Sequence, residues 1–186
     1  VKMINSKQDL EYYCLEDLKR FGNKKPSIKD WILHNEVWYI YHYIRHLRYV
    51  EFYKNTSASR VLFLWHFFRY KRLGFKLNFT IYPNTIGPGF RIYHTGSFVH
   101  VGSNVTIGNH CTILPGVVFG NKYEEANKSQ VIVGDNCYIG LDAKILGSVK
   151  IGRNVTIGAN AVVIRNIPDN AIVGGIPARI IRFKDF

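Results

Sequence analysis

The sequence is poor in acidic residues, in cysteine and in long apolar runs. Thirteen Asp and Glu stand against 25 Lys and Arg, for a formal net charge of +12. Cysteine occurs only as Cys14, Cys111 and Cys137. No uncharged apolar run approaches the roughly 20 residues that span a bilayer. Each absence excludes something. Three cysteines at no metal-ligand spacing rule out a disulfide framework or a Cys-based zinc site, and they fit small apolar thiols in a reduced, cytoplasmic protein. The first residues are polar and charged where a secretory signal needs an apolar stretch, so export is not expected. The deficit of acid calls for an anionic partner. Within residues 38–79, Arg45, Arg48, Lys54, Arg60, Arg69, Lys71, Arg72 and Lys76 are set against Glu51 alone. No nucleic-acid motif accompanies them, so nucleic acid is not an expected partner. An anionic cofactor, an anionic or lipid-linked substrate, or peripheral contact with a membrane through 38–79 fits better.

Residues 1–79 read as an α-helical region. Ser6 and Ser27 are N-cap candidates, with Asp9 and Asp30 three positions on, near the positive end of each helix dipole. Gly22 and Pro26 separate the first two helices, and Asn55-Thr56-Ser57 ends the aromatic run from Trp31 to Tyr53. A further helix is expected from about Ser59 to Leu73, with Gly74 as its C-cap.

Residues 80–186 follow another rule. Aliphatic or aromatic residues recur every six positions: Ile86, Ile92, Phe98; then Val101, Ile107, Ile113, Phe119; then Val133, Ile139, Ile145, Ile151, Ile157, Val163. Neither a helix nor a simple strand has this period. It is the period of a parallel β-helix, in which three hexapeptides make one triangular coil and the inward residue stacks on the one 18 positions later, about 4.8 Å away. Asn104, Asn109, Asn136, Asn154 and Asn160 fall in corner segments. The ladder is broken by a three-residue step from Phe98 to Val101 and by a 14-residue step from Phe119 to Val133, which implies an extruded loop over 121–130.

Three segments carry a resemblance. They are Ile86-Gly87-Pro88-Gly89-Phe90-Arg91-Ile92-Tyr93-His94-Thr95-Gly96, then Gly116-Val117-Val118-Phe119-Gly120-Asn121, then Val173-Gly174-Gly175-Ile176-Pro177-Ala178-Arg179. Together they resemble the left-handed β-helix acyltransferases of the serine acetyltransferase branch. The resemblance implies a mainly β fold, a left-handed parallel β-helix of hexapeptide repeats preceded by the helices and followed by a C-terminal tail. It also implies acetyl-CoA as co-substrate, no metal, and a homotrimer with its cleft between subunits. The sequence departs from that branch where the amino-acid acceptor binds. Tyr93 stands in place of an Asp, Lys128 and Ser129 in place of an Arg-His pair, and Phe79 near the expected carboxylate partner of the catalytic histidine. These departures resemble the capsule and exopolysaccharide O-acetyltransferases, and they imply a sugar acceptor.

Acyl transfer needs a base for the acceptor hydroxyl and donors for the oxyanion. His94, in the motif context, is the expected general base. Arg91, Tyr93, His100 and Lys128 are candidates for the acceptor side. Gly140, Ala143, Gly158 and Ala161 are small residues where pantetheine would lie, and Arg165, Arg179 and Arg182 are candidates for the nucleotide phosphates. Zinc held by His94, His100 and His110, as in the β-helix carbonic anhydrases, is disfavoured by their spacing. The expected function is an acetyl-CoA-dependent O-acetyltransferase acting on a sugar hydroxyl in surface-polysaccharide biosynthesis, in the cytoplasm, with the inner face of the membrane as an alternative place of work. The alternatives are a serine O-acetyltransferase of cysteine biosynthesis and, in another class, a non-catalytic β-helix module.

Overall fold

The computed structural model describes residues 2–121 and 130–185. Four helices come first: α1 (Lys7–Lys19), α2 (Ile28–Ile32), α3 (Glu36–Thr56) and α4 (Arg60–Leu77). Their starts follow side-chain chemistry. The Ser6 and Ser59 hydroxyls accept from the Asp9 and Leu62 amides. Ser27 and Asp30 form a reciprocal capping box. The α4 terminus differs from expectation. The helix runs through Gly74 to Leu77, and Asn78 caps it at φ 59°. Gly74 is small for a different reason: a Cβ there would lie 2.7 Å from the Phe79 carbonyl oxygen and 3.1 Å from the Tyr43 ring. It lets α4 lie close to α3 and to the first strand.

Fourteen strands are described, and thirteen of them build three parallel faces. The first face stacks β1 (Phe79–Ile81), β3 (Val99–Val101), β6 (Val118–Gly120), β9 (Lys144–Leu146) and β12 (Val162–Val163). The second holds β4 (Val105–Ile107), β7 (Val131–Val133) and β10 (Val149–Ile151). The third runs through β2 (Arg91–Ile92), β5 (Thr112–Ile113), β8 (Tyr138–Ile139), β11 (Thr156–Ile157) and β13 (Ala171–Gly174). The last strand, β14 (Arg179–Phe183), folds back antiparallel on β13 and covers the end of that face. Three parallel faces built from hexapeptide repeats fit the expected left-handed β-helix.

The ladder residues point inward. Ile92, Val101, Ile107, Ile113, Ile139, Ile145 and Ile157 are each fully buried, and burying such a side chain contributes about 1.5–3 kcal/mol. The exact 18-residue step holds only in the regular coils, as in Ile139↔Ile157 and Val133↔Ile151. Ile92 pairs with Ile113 in the first coil, Ile113 with Ile139 across the loop, and Ile157 with Val173 at the end. Phe98 departs from the expected ladder. It is 51% exposed, and Val99 takes the inward place before Val101. The three extra residues therefore precede Phe98, in the corner that carries His94. The extruded loop expected over 121–130 falls largely on residues 122–129, which lie outside the described residues.

One hydrophobic cluster runs from Tyr39 in α3 to Val173 in the last coil, so the helices and the solenoid share a core. A buried polar hub ties them together. Arg48, fully buried, pairs with Asp17 at 2.9 Å and Glu51 at 3.1 Å. It also donates to the Ile86 and Gly87 carbonyls at 2.9 and 2.6 Å. Asp17 and Glu51 in turn accept from the Phe90 and Asn84 amides. Burial holds the Glu51 pKa above its ordinary value despite the guanidinium. Arg48 and Arg45 thus leave the basic surface expected over 38–79: Arg45 is turned toward the Tyr41 and Tyr49 hydroxyls, at 3.3 Å from each. Among the described residues, no helix is long and apolar enough to cross a membrane.

Candidate active site

His94 lies in the corner between β2 and β3, at φ 63°, on the three-residue insertion. A left-handed residue there turns the imidazole out of the coil, and 70% of its side chain is exposed. Its Nδ1 lies 2.7 Å from Oε1 of Glu36, in the first turn of α3. The other carboxylate oxygen of Glu36 accepts from the Thr95 amide at 3.0 Å and lies 3.4 Å from the Thr95 hydroxyl. One carboxylate therefore fixes both the ring and the loop that carries it. With Nδ1–H donated to Glu36, the Nε2 lone pair is left facing solvent, free to accept a proton.

The turn before α3 is itself braced. Asp30 accepts from the Asn35 side chain at 2.9 Å and from the Ser27 amide at 2.6 Å. The bonds from Asn35 and Ser27 hold its carboxyl at a pKa of about 2. The resemblance puts the carboxylate partner of His94 near Phe79, where the sequence has no acid. The structure supplies it from the same chain, 58 residues upstream. The available signal was an acid at a helix start, which by itself suggests only favourable interaction with the helix dipole.

The other candidates sort themselves by burial. Tyr93 is 40% exposed, with its ring 6.4 Å from that of His94. Arg91 is engaged within the chain. Its guanidinium lies 3.9 Å from the Phe21 ring and 4.7 Å from the Tyr93 ring, and it donates to the Arg20 carbonyl at 2.7 Å. It pins the segment after α1 to the solenoid. His100 is half-buried on the outer side of β3, stacked on Phe98 at 5.8 Å, and burial lowers its pKa. His110 occupies a left-handed corner at φ 55°, stacked between the corners at Gly89 and Asn136. It is a coil-turn residue, and the nearest carboxylate oxygen, on Glu16, is 3.8 Å away. Lys128 and Ser129 lie outside the described residues. Among the described residues, no group of three His, Cys, Asp or Glu is placed to hold a metal ion.

The small residues expected to line the cofactor have structural work of their own. Ala143 and Ala161 are fully buried, with their methyl groups in the solenoid core. A Cβ at Gly140 would lie 2.7 Å from the Ala159 amide nitrogen of the next coil, and one at Gly158 would lie 3.2 Å from the Val173 carbonyl oxygen. The Gly140 and Gly158 amides donate to the Ile157 and Val173 carbonyls. The alanine methyl groups therefore face the core and leave the backbone as the outward surface at these positions. Arg165, Arg179 and Arg182 are exposed at the C-terminal end of the solenoid.

None of the thiols is built as a nucleophile. Cys111 and Cys137 are buried and lie against carbonyls of their own and the adjacent coil. Burial pushes the Cys14 thiol up to about 11.

A family model for the bacterial transferase hexapeptide (six repeats) matches residues 130–165. A serine acetyltransferase from Staphylococcus aureus is 42% identical over 103 residues, covering 55% of this chain and 48% of that protein. The serine acetyltransferase of Buchnera aphidicola is 30% identical over 192 residues, covering 98% of this chain and 66% of that protein. The crystal structure of the serine acetyltransferase from Neisseria gonorrhoeae superimposes with a TM-score of 0.75 at 26% identity, covering 97% of this chain and 67% of that one. The chain spans about half the length of curated relatives such as the staphylococcal one.

These relatives overturn the expectation of a sugar acceptor in surface-polysaccharide synthesis, and with it the likeness to the capsule branch. The kinship runs to serine acetyltransferases along nearly the whole chain. One of the departures on which the sugar reading rested also disappears, because the carboxylate beside the histidine is present as Glu36.

Proposed function

We propose that this chain, a hexapeptide-repeat transferase with serine acetyltransferase relatives, transfers an acetyl group from acetyl-CoA to the hydroxyl of serine. The observation that carries the reading is the His94–Glu36 pair at 2.7 Å, exposed beside the corner of the solenoid. In this reading Glu36 holds the imidazole in one tautomer. His94 Nε2 takes the serine hydroxyl proton as the oxygen attacks the thioester carbonyl. The tetrahedral intermediate collapses, the C–S bond breaks, and the departing CoA sulfur receives the proton from the imidazolium. Both substrates are bound together, and no acyl-enzyme forms. The buried Cys111 and Cys137 fit that route.

The exposure of His94 in a single chain fits a cleft completed by a second copy of the β-helix, as in a homotrimer. Arg165, Arg179 and Arg182 are the proposed contacts for the CoA phosphates, and Tyr93 and His100 remain the described candidates on the acceptor side.

The test is thiol release from acetyl-CoA with serine. His94→Ala is expected to lower turnover by about 10²–10⁴-fold, and Glu36→Gln by about 10²-fold through misplacement of the ring, both with unchanged CoA affinity by calorimetry. Undiminished turnover in His94→Ala would sink the catalytic assignment. A wild-type protein that binds CoA but leaves serine untouched would sink the acceptor alone.

A further inference from the structure

A second cavity lies away from His94. It has a volume of about 490 Å³ and is walled by Trp31 of α2, Trp38 and Tyr39 of α3, and Phe68, Arg69, Arg72 and Lys76 of α4. That volume is typical of a small-molecule site. Neither Glu36 nor His94 lines it.

Its charge is one-sided. Arg69, Arg72 and Lys76 follow an i, i+3, i+7 spacing and share one side of α4. Two of them lie against rings: Arg69 is 5.9 Å from the Trp65 centroid and Lys76 is 3.9 Å from that of Tyr39. Among the described residues, no carboxylate lines the cavity. The acids nearest in sequence are engaged elsewhere, Asp30 with Ser27 and Asn35, Glu36 with His94, and Glu51 with Arg48. No other acid occurs until Glu124. Three cations converging without a counter-charge repel one another, and an anion seated among them relieves that repulsion. The opposite wall is aromatic. There the Trp31 and Trp38 rings lie 6.4 Å apart at 45°, while Phe68, beside Arg69 on α4, is 61% exposed.

We infer that this cavity binds an organic phosphate, with the phosphate on Arg69, Arg72 and Lys76 and a planar or apolar body against Trp31, Trp38 and Phe68. Guanidinium groups match phosphate oxygens in pairs, and aromatic walls accept either a base or an acyl chain. The source is a soluble nucleotide or a phospholipid headgroup. The exposed Trp65, Leu64 and Val61, which continue along α4, suit the second.

The experiment titrates the full chain with ADP and, separately, with vesicles of phosphatidylglycerol in phosphatidylcholine. Tryptophan fluorescence is followed, because two tryptophans wall the cavity. Saturable binding is expected with one of the two probes, and the one that binds identifies the source. Arg72→Glu/Lys76→Glu is expected to weaken it at least tenfold with an unchanged thermal melt. Arg72→Gln/Lys76→Gln gives a smaller loss and serves if the reversed pair fails to fold. His94→Ala is expected to bind as the wild type does, whatever becomes of its turnover. Absence of saturable binding to both probes, or equal affinity in a folded charge variant, would overturn the inference. ADP binding at a CoA groove elsewhere would show itself as that second result.

Discussion

The helices and the solenoid bury their apolar surface by opposite means. In the solenoid two residues of each hexapeptide point inward, onto their equivalents in the next coil, and the core is apolar throughout and mostly aliphatic. Each coil depends on its neighbours alone. The helices instead bury charge and imidazole: the Arg48–Asp17–Glu51 hub and the His46–His66 pair lie inside the packing. A repeat gives a scaffold that tolerates local damage. A polar hub gives a fixed orientation, here that of α3 against the first coil, and with it the placement of Glu36 on His94.

That contrast is broken most directly by removing the hub's cation. Arg48→Ala leaves two buried carboxylates facing each other, with expected destabilisation of about 3–5 kcal/mol in urea titrations. It is also expected to abolish turnover before the solenoid melts, because α3 no longer holds Glu36 at the corner. Retained activity in a destabilised variant would show that the helices find their place without the hub. Ile139→Ala, in the middle of the ladder, is expected to cost about 2–5 kcal/mol. Turnover of the folded fraction should stay near wild type, since the loss is confined to adjacent coils.

The two regions also differ in what acid does to them. His46 and His66 meet through Nδ1 atoms 2.9 Å apart between α3 and α4. Burial and the neighbouring His66 push the His46 pKa down to about 3; burial, then Arg45, pushes that of His66 down to about 4. Unfolded, both titrate near 6.5. Between these values the unfolded chain binds more protons than the native one. Their contribution is therefore complete above about pH 6.5 and is lost as the pH falls toward 4. Urea midpoints read by tryptophan fluorescence should fall from pH 7.5 to pH 5, and the fall should be shallower in His46→Gln/His66→Gln. An equal slope in that variant would place the acid sensitivity elsewhere.

The same difference decides what could be read from the sequence. A period of six is local, and nearly every ladder residue is legible from it. Glu36 and Arg48 act on partners 58 and 31 residues away, and no spacing rule encodes such a contact. Arg48 looks like surface charge because its partners, apart from Glu51, lie outside its own segment. Gly74 looks like a helix stop because glycine ends helices, yet here it answers a close approach to Phe79 and Tyr43. His94 is legible only through its motif. The carboxylate that completes its site lies in the helical region, where resemblance to the β-helix motifs does not reach.

The finest test of the contrast lies at the one ladder position where the period misleads. Counting six from Ile92 reaches Phe98, but the chain adds three residues at the His94 corner, and the ladder place falls to Val101, with Val99 buried before it. Phe98→Ala should therefore alter stability by no more than about 0.5 kcal/mol, as exposed substitutions do. Phe119→Ala, at a true ladder position that is 2% exposed, should cost about 3–5 kcal/mol. The Phe98 ring does stack on His100 at 5.8 Å. Its removal uncovers that imidazole, so a change in acceptor KM without a change in melting temperature is the expected signature if His100 lies on the acceptor side. A loss at Phe98 as large as that at Phe119 would mean that the coil keeps strict six-residue phase through the corner. The insertion would then have to be placed after His94's loop, and the geometry that turns the imidazole outward would lose its explanation.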